Sequence, residues 1–322
     1  MSESVRVVFF AQLAKDAVIA KLKEIPGIDF VSTEDLHEML RALQGAQVLV
    51  TPDVRSDDAK LLADALRAPG RTVRWVQCLS AGYESLVRHG FPQDVMLTNQ
   101  GGAVAPAVAE HAFALMLALV RRLYESIPAK ARHEWIPGIT ARTSVLEGRT
   151  LAVVGFGHAG REIAKRARAF DMTILGVSRS GKPDPLADEM HPTTELREVL
   201  ARSDAIVIAA SHTPETYHLI GAKEFAVCKP DTIFVNVARG PLVDPAALKA
   251  ALDEKKIAAA GIDVTEPEPL PADHPLWDCP NLIISPHHAG GGSKKSRQRI
   301  LNVLAENMDR FRLGKPLLHV VH

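Results

Sequence analysis

The run Leu151-Ala-Val-Val-Gly155-Phe-Gly157-His158-Ala159-Gly160 leaves a strand-like apolar stretch and enters a helical one, Arg161 to Phe170. Glycines at this spacing suit the binding of a dinucleotide pyrophosphate. Gly155 permits the tight turn, Gly157 lets the backbone approach the phosphates, and Gly160 allows the helix to pack closely on the sheet. The helix N-terminus, with His158 and Ala159, then faces the anion. A glycine-rich strand end can also be an ordinary turn, so strand, turn, helix and following strand in register carry the assignment. The residue closing the next strand reads the adenosine ribose, and an acid there would accept from the 2′-hydroxyl. Here Ser178, Arg179 and Ser180 stand in that place. Asp171 precedes the strand and lies at its wrong end, which leaves no carboxylate to repel a 2′-phosphate. NADP(H) is therefore the preferred cofactor, with NAD(H) the second option.

These residues need a scaffold, and the chain of 322 residues is long enough for two domains with separate cores. Its first hundred residues alternate β-rich runs (Val5 to Phe10, Gln47 to Thr51, Val73 to Cys78, Val95 to Thr98) with helical stretches at Asp35 to Leu43 and Asp57 to Leu66. A second series begins at Thr150, with strands expected at Leu151 to Val154, Thr173 to Val177, Ala205 to Ile208, Ile233 to Val237, Ala259 to Val264 and Leu282 to Ser285. Alternation of this kind predicts an α/β protein of two domains, each a parallel-sheet layer of Rossmann-like or flavodoxin-like type, the second with six strands. The last helical stretch, Lys294 to Phe311, is too short to form a domain and is expected to return to the first. A dinucleotide-binding domain, 100–288, is thus inserted into a substrate domain built from 1–99 and 289–322, with hinges near Gly101 and Gly290.

Composition excludes other classes. Basic and acidic residues balance at 38 each, which gives no electrostatic reason to expect nucleic acid or an anionic membrane as partner. Cys78, Cys228 and Cys279 are odd in number and far apart without any CxxC, so neither a disulfide framework nor a zinc site is expected. The N-terminus lacks the features of an export signal, and a cytoplasmic location fits best. The most apolar segment, Ala103 to Val120, contains Glu110 and His111 and reads as a buried helix rather than a membrane span. Such a helix suggests tight packing between domains or protomers, and a homodimer through this region is expected.

Further motifs follow in order: Leu79-Ser80-Ala81-Gly82, Val108-Ala-Glu-His111, the glycine turn, and Thr213-Pro-Glu-Thr216. They continue with Asn236-Val237-Ala238-Arg239-Gly240 plus Val243-Asp244, Asp263-Val-Thr-Glu-Pro-Glu268-Pro, and Ser285-Pro-His287-His288-Ala-Gly290. Through them the chain resembles, along nearly its whole length, the D-isomer-specific 2-hydroxyacid dehydrogenases, especially the glyoxylate/hydroxypyruvate reductase branch. The resemblance implies reduction of a small 2-keto acid to the D-2-hydroxy acid. It also implies roles. Arg239 binds the substrate carboxylate and keto oxygen, His287 donates the proton, and Glu268 is its carboxylate partner. The loop of Leu79, Ser80, Ala81 and Gly82 holds the carboxylate through backbone N–H groups. Ala210, Ser211, Val237, Ala238, Asp263, His287 and Gly290 join the cofactor contacts.

The chemistry requires such a trio. Hydride reaching a carbonyl carbon leaves charge on oxygen, and an acid with a pKa near 7 must protonate it. A neighbouring Glu favours the imidazolium, and the planar fork of an Arg suits a carboxylate. Two adjacent histidines also suggest a metal, but no carboxylate or Cys stands at ligand spacing from them, and no metal is expected. Several positions depart from the family pattern: Tyr83 and Glu84 after the carboxylate loop, Ala105 and Pro106, and Ser211 near the adenine. Trp135 resembles an aromatic that some relatives lend to the partner's pocket, and a core or interface Trp is an equal reading. The alternative from another class is a dinucleotide-sensing regulatory protein of the same fold, as the corepressors of the family are.

Overall fold

The computed structural model describes residues 4–54 and 56–321, so Met1, Ser2 and Glu3 of the N-terminal run lie outside the described residues. The chain divides into two compact units, Met1–Ala103 with Ser293–His322, and Val104–Gly292. These crossings fall a few residues further along than the sequence suggested.

Among its described residues the first unit contains five strands: β1 (Val5–Phe10), β2 (Ile28–Thr33), β3 (Val48–Thr51), β4 (Trp75–Cys78) and β5 (Met96–Thr98). They pair in the order β2-β1-β3-β4-β5, all parallel, the flavodoxin-like arrangement. The three central strands, fully buried or nearly so, are near-continuous apolar runs, as a parallel sheet covered on both faces demands. Of these five, β2 escaped the sequence reading. Its residues, Ile-Asp-Phe-Val-Ser-Thr, are mostly half-buried at the sheet edge, and polar residues interrupt the apolar run that marks an interior strand. The helix Lys294–Arg312 packs in this unit, burying Leu301, Leu304 and Met308 against the core of β1 and β4. Asn307, fully buried, ties it to β4 by donating to the Gln77 side chain at 3.0 Å.

The second unit holds β6 (Thr150–Val154), β7 (Thr173–Ser178), β8 (Glu189–Pro192), β9 (Ala205–Ile208), β10 (Ile233–Asn236), β11 (Ala259–Ile262) and β12 (Leu282–Ile284). Their order is β12-β11-β10-β9-β6-β7-β8, again parallel throughout. The six-stranded expectation is therefore corrected to seven. The added β8, Glu-Met-His-Pro, sits at an edge, where charge and proline are tolerated and no apolar run is needed.

The helix Ala105–Val120 covers one face of this sheet, burying Ala109, Ala112, Phe113, Leu115, Met116, Leu119 and Val120. Much of the apolar surface that suggested a subunit contact is thus spent within its own unit. What remains outside is Leu117, followed along the chain by Leu123, Ile127, Trp135 and Val145, with Trp135 92% exposed. Among the described residues no helix is long and apolar enough to cross a membrane.

Candidate active site

Apart from Val108–His111, which lies in the helix Ala105–Val120, the segments singled out by motif in the second unit follow the carboxyl ends of strands of one sheet. Gly155 follows β6, Arg179 follows β7, Ala210 and Ser211 follow β9, Val237 to Arg239 follow β10, Asp263 to Glu268 follow β11, and Ser285 to His287 follow β12. Strand order reverses between β9 and β6, and ligands of open α/β sheets bind at that crevice. Hydrogen bonds continue the strand pairing into these loops: Gly155 N to Val177 O at 2.8 Å, Ala209 N to Val154 O at 2.7 Å, Asp263 N to Asn236 O at 2.9 Å, and Ser285 N to Ile262 O at 2.9 Å. Residues far apart in sequence therefore arrive at one edge in fixed register.

The glycine turn shows why its residues are glycines. Gly155 has φ 99°, and a Cβ there would lie 2.3 Å from Ala210 N. A Cβ on Gly160 would lie 2.0 Å from Gly155 O, a collision with backbone that cannot be relieved by a rotamer change. At Gly157 a Cβ would meet nothing within 4 Å, so the space beside it is open to a ligand. The helix after the turn starts at His158 rather than at Arg161 as expected, with Gly157 as its N-cap. Its first N–H groups then face that open space, and the cradle fits a pyrophosphate.

At the end of β7, Ser178 accepts from Gly181 N at 3.1 Å, while Arg179 and Ser180 are exposed. The expectation that no carboxylate stands near needs correction. The turn Pro214–Thr216 brings Glu215 within electrostatic range of Arg179; the Thr213 hydroxyl and its own backbone N–H hold the Glu215 carboxyl below its ordinary value, and the guanidinium adds to that.

At the far end of the same sheet edge stand Arg239, Glu268 and His287. Asn236, buried at the end of β10, donates to Arg239 O at 3.0 Å and accepts from Ala238 N at 3.0 Å, which folds the strand end into the turn that presents Arg239. Gly240 follows because a Cβ would lie 1.9 Å from Thr265 O; the two segments touch backbone to backbone. His287 sits in the left-handed region at φ 50°, an uncommon state for a residue with a side chain and one that clusters at functional sites. Its N–H donates to Asp263 O at 2.8 Å. Its Nδ1 lies 2.5 Å from Glu268 Oε1, so Nδ1–H donates to the carboxylate and Nε2 is left for another partner.

The electrostatics of this pair are mutual. The hydrogen bond to Glu268 outweighs burial and pushes His287 above the ordinary imidazole value, with the Glu268 charge adding and Arg239 opposing. Burial alone would lift the Glu268 carboxyl, but the bond and charge of His287, with Thr265 N–H and Arg239, hold it below the usual carboxylate range. Arg239 is thus close enough for its charge to act on both partners. The arrangement brings an imidazole with raised proton affinity within electrostatic range of a guanidinium.

Asp263 is 1% exposed and organises the last turn. Its Oδ1 accepts from Ser285 Oγ at 2.6 Å and His288 N at 3.1 Å, and its Oδ2 from Ala289 N at 2.8 Å. His111, in the Val108 to His111 motif but given no role from the sequence, reaches Ser285 Oγ at 2.9 Å across 174 residues. Burial lowers its pKa, against the raising charge of Asp263 and with His288 adding to the fall. Here the fold corrects the sequence: Asp263 and His111 join His288, their ligand atoms all within 4.8 Å of one another. The Asp263 carboxylate already accepts three in-chain donors.

In the first unit, the Leu79–Gly82 loop follows β4. Leu79 N donates to Thr51 O at 2.8 Å, Ser80 Oγ accepts from Asp53 N at 2.7 Å, and Asn99 Nδ2 donates to Ala81 O at 3.1 Å. The three cysteines are free, with burial pushing Cys78 up to about 12 and Cys228 to about 11, values of inert thiols.

A parallel sheet with a glycine cradle, a histidine–carboxylate pair and an arginine at one edge describes a dinucleotide-dependent oxidoreductase. Residues 113–289 match the model of the D-isomer specific 2-hydroxyacid dehydrogenase NAD-binding domain, and the chain belongs to that family of dehydrogenases. A glyoxylate reductase of Thermococcus litoralis is 33% identical over 87% of this chain and 84% of its own length. A D-isomer specific 2-hydroxyacid dehydrogenase family protein from Aeromonas salmonicida is similar in structure, with 30% identity, a TM-score of 0.86 and 99% of each chain covered. So is an NADPH-dependent glyoxylate/hydroxypyruvate reductase from Sinorhizobium meliloti, solved in complex with NADP and sulfate, with 25% identity, a TM-score of 0.83 and 98% of each chain covered.

Proposed function

We propose that this protein reduces a small 2-keto acid of the glyoxylate or hydroxypyruvate type to the D-2-hydroxy acid, with NADPH preferred over NADH. The observation that carries the reading is the His287–Glu268 pair, with Nδ1 committed to the carboxylate and Nε2 available beside the charge of Arg239. The cofactor supplies hydride when bound at the Gly155–Gly160 turn. His287 Nε2–H gives its proton to the oxygen that becomes the hydroxyl, and the imidazole, left neutral, regains a proton from solvent. Glu268 keeps the ring charged and oriented until then. Arg239 binds the carboxylate and polarises the keto oxygen, for which its paired donors suit it better than a point charge. The Leu79–Gly82 loop is the proposed second holder of the carboxylate, through its backbone N–H groups.

Cofactor contacts are assigned to Gly155, Gly157, His158, Ala159 and Gly160 at the pyrophosphate, and to Ser178, Arg179 and Ser180 at the ribose. Ala210, Ser211, Val237, Ala238, Asp263 and Gly290 complete the set along the sheet edge. Preference for NADPH rests on the donors and positive charge after β7, where an NAD enzyme of this fold places an acid. Association into a homodimer in the cytoplasm completes the proposal, through the exposed apolar residues from Leu117 to Val145. The test is a panel of 2-keto acids assayed by loss of cofactor absorbance with NADPH and with NADH. Turnover of glyoxylate or hydroxypyruvate, faster in kcat/KM with NADPH, is the expected result; binding of cofactor without turnover of any keto acid overturns the reading.

A further inference from the structure

The carboxylate proposed to tune the proton donor stands on a segment with little backbone support. Thr265 to Pro269 contains two prolines, which lack an N–H, and Thr265 N reaches only the Glu268 side chain, at 3.4 Å. Side chains do the holding instead. Thr265 Oγ1 donates to Pro267 O at 2.9 Å. Glu266, the residue two before Glu268, has its Oε2 2.8 Å from Nε2 of His218, a residue 48 positions earlier in the chain.

His218 is placed for this by its own backbone. It occupies the left-handed region at φ 48°. Its N–H donates at 2.8 Å to Pro241 O, two residues after Arg239. Tyr217 stacks on its ring, with centroids 4.0 Å apart. One residue thus grips two loops: the main chain holds the Arg239–Pro241 segment and the side chain holds the Thr265–Glu268 segment.

We infer that His218 is a positioning residue for the reaction, which through Glu266 keeps Glu268 against His287 and in register with Arg239. The inference rests on the acid–base reading proposed above. His218 and Glu266 are each about 30% exposed in their side chains, so the pair adds little to stability, and its effect lies in geometry. A displacement of about 1 Å at a reacting group can cost on the order of 100-fold in rate, and a partial loosening of the loop costs less.

The test is a mutant cycle in the intact enzyme with a keto acid and NADPH. His218→Asn keeps a residue tolerant of the left-handed backbone but cannot reach Glu266, and Glu266→Ala removes the acceptor. Each is expected to lower kcat roughly tenfold and to move the alkaline limb of the pH profile to lower pH, because Glu268 then spends less time against His287. Cofactor affinity, read by quenching of protein fluorescence, stays the same. Glu266→Gln retains an oxygen for the His218 N–H and is expected to restore most of the rate. The double variant is expected to be no worse than either single one, as for two ends of one interaction.

Should His218→Asn fail to fold, Glu266→Ala against Glu266→Gln gives the same comparison. Glu268→Gln, run in parallel, separates the two claims. If it moves the alkaline limb to lower pH while His218→Asn and Glu266→Ala leave kcat and pH profile unaltered, the positioning role is wrong and the acid–base pair stands. If Glu268→Gln itself leaves the profile fixed, the acid–base pair is wrong, and the positioning role falls with it.

Discussion

The two ends of the second unit's sheet edge are built on different principles. At the Gly155–Gly160 turn the backbone does the work: φ 99° at Gly155 and a contact at Gly160 that admits no Cβ fix the chain path, and six consecutive residues suffice. At the Arg239–Glu268–His287 end, side chains do the work, and the residues that meet come from separate loops. A turn made of backbone is rigid because its alternatives clash. A cluster made of side chains is held by hydrogen bonds to half-exposed groups, which makes its proton affinity adjustable. Phosphate binding needs the first property and proton transfer the second.

Perturbing each end should therefore produce opposite phenotypes. His287→Gln is expected to lower kcat for keto acid reduction by roughly 100- to 10,000-fold, the range of general acid catalysis, with melting temperature and cofactor affinity nearly unchanged. Steady-state kinetics with a parallel thermal melt checks it, and near-normal turnover would remove His287 from the role. Gly160→Ala is expected to do the reverse. Forcing a methyl group onto Gly155 O should cost about 3 kcal/mol of stability in urea unfolding and weaken cofactor binding, because the helix must move off the strand. A fully stable variant would mean that the turn is less rigid than its geometry indicates. Arg179→Ala sharpens the contrast within the proposed phosphate end itself, where a side chain is proposed to supplement the backbone. Losing one charge-assisted bond should reduce kcat/KM with NADPH by about tenfold while sparing NADH. Equal loss with both cofactors would show that Arg179 does not distinguish the 2′ position.

The same contrast explains what was legible in the sequence. The glycine turn and the interior strands could be read directly, because each is a local pattern whose cause lies within ten residues. Edge strands β2 and β8 were missed: Asp29 and Ser32 in one, Glu189 and Pro192 in the other, break the apolar run without breaking the hydrogen bonding. The trio of Arg239, Glu268 and His287 was reached through family motifs; no spacing rule joins residues on three loops. Meetings that depend on strand register stayed invisible. Glu215 beside Arg179, His111 on Ser285, and His218 on Glu266 follow only once β9 to β12 lie side by side. His218 did carry a faint signal, a histidine beside a tyrosine in a turn after the Thr213 to Thr216 motif, but nothing local pointed to its partner.

The most direct test of the account is the pH dependence of kcat/KM for keto acid reduction in the unmodified enzyme and in Glu268→Gln. Glu268 raises the affinity of His287 for its proton. The acid therefore stays protonated to higher pH, and activity is lost as pH rises through that elevated value. Glutamine removes the charge, and His287 should fall back toward its ordinary value of about 6.5. The predicted result is an alkaline limb displaced to lower pH, with the plateau rate on the acid side largely kept. A limb that does not move would show that Glu268 and His287 do not act as a coupled pair, and would contradict the central claim.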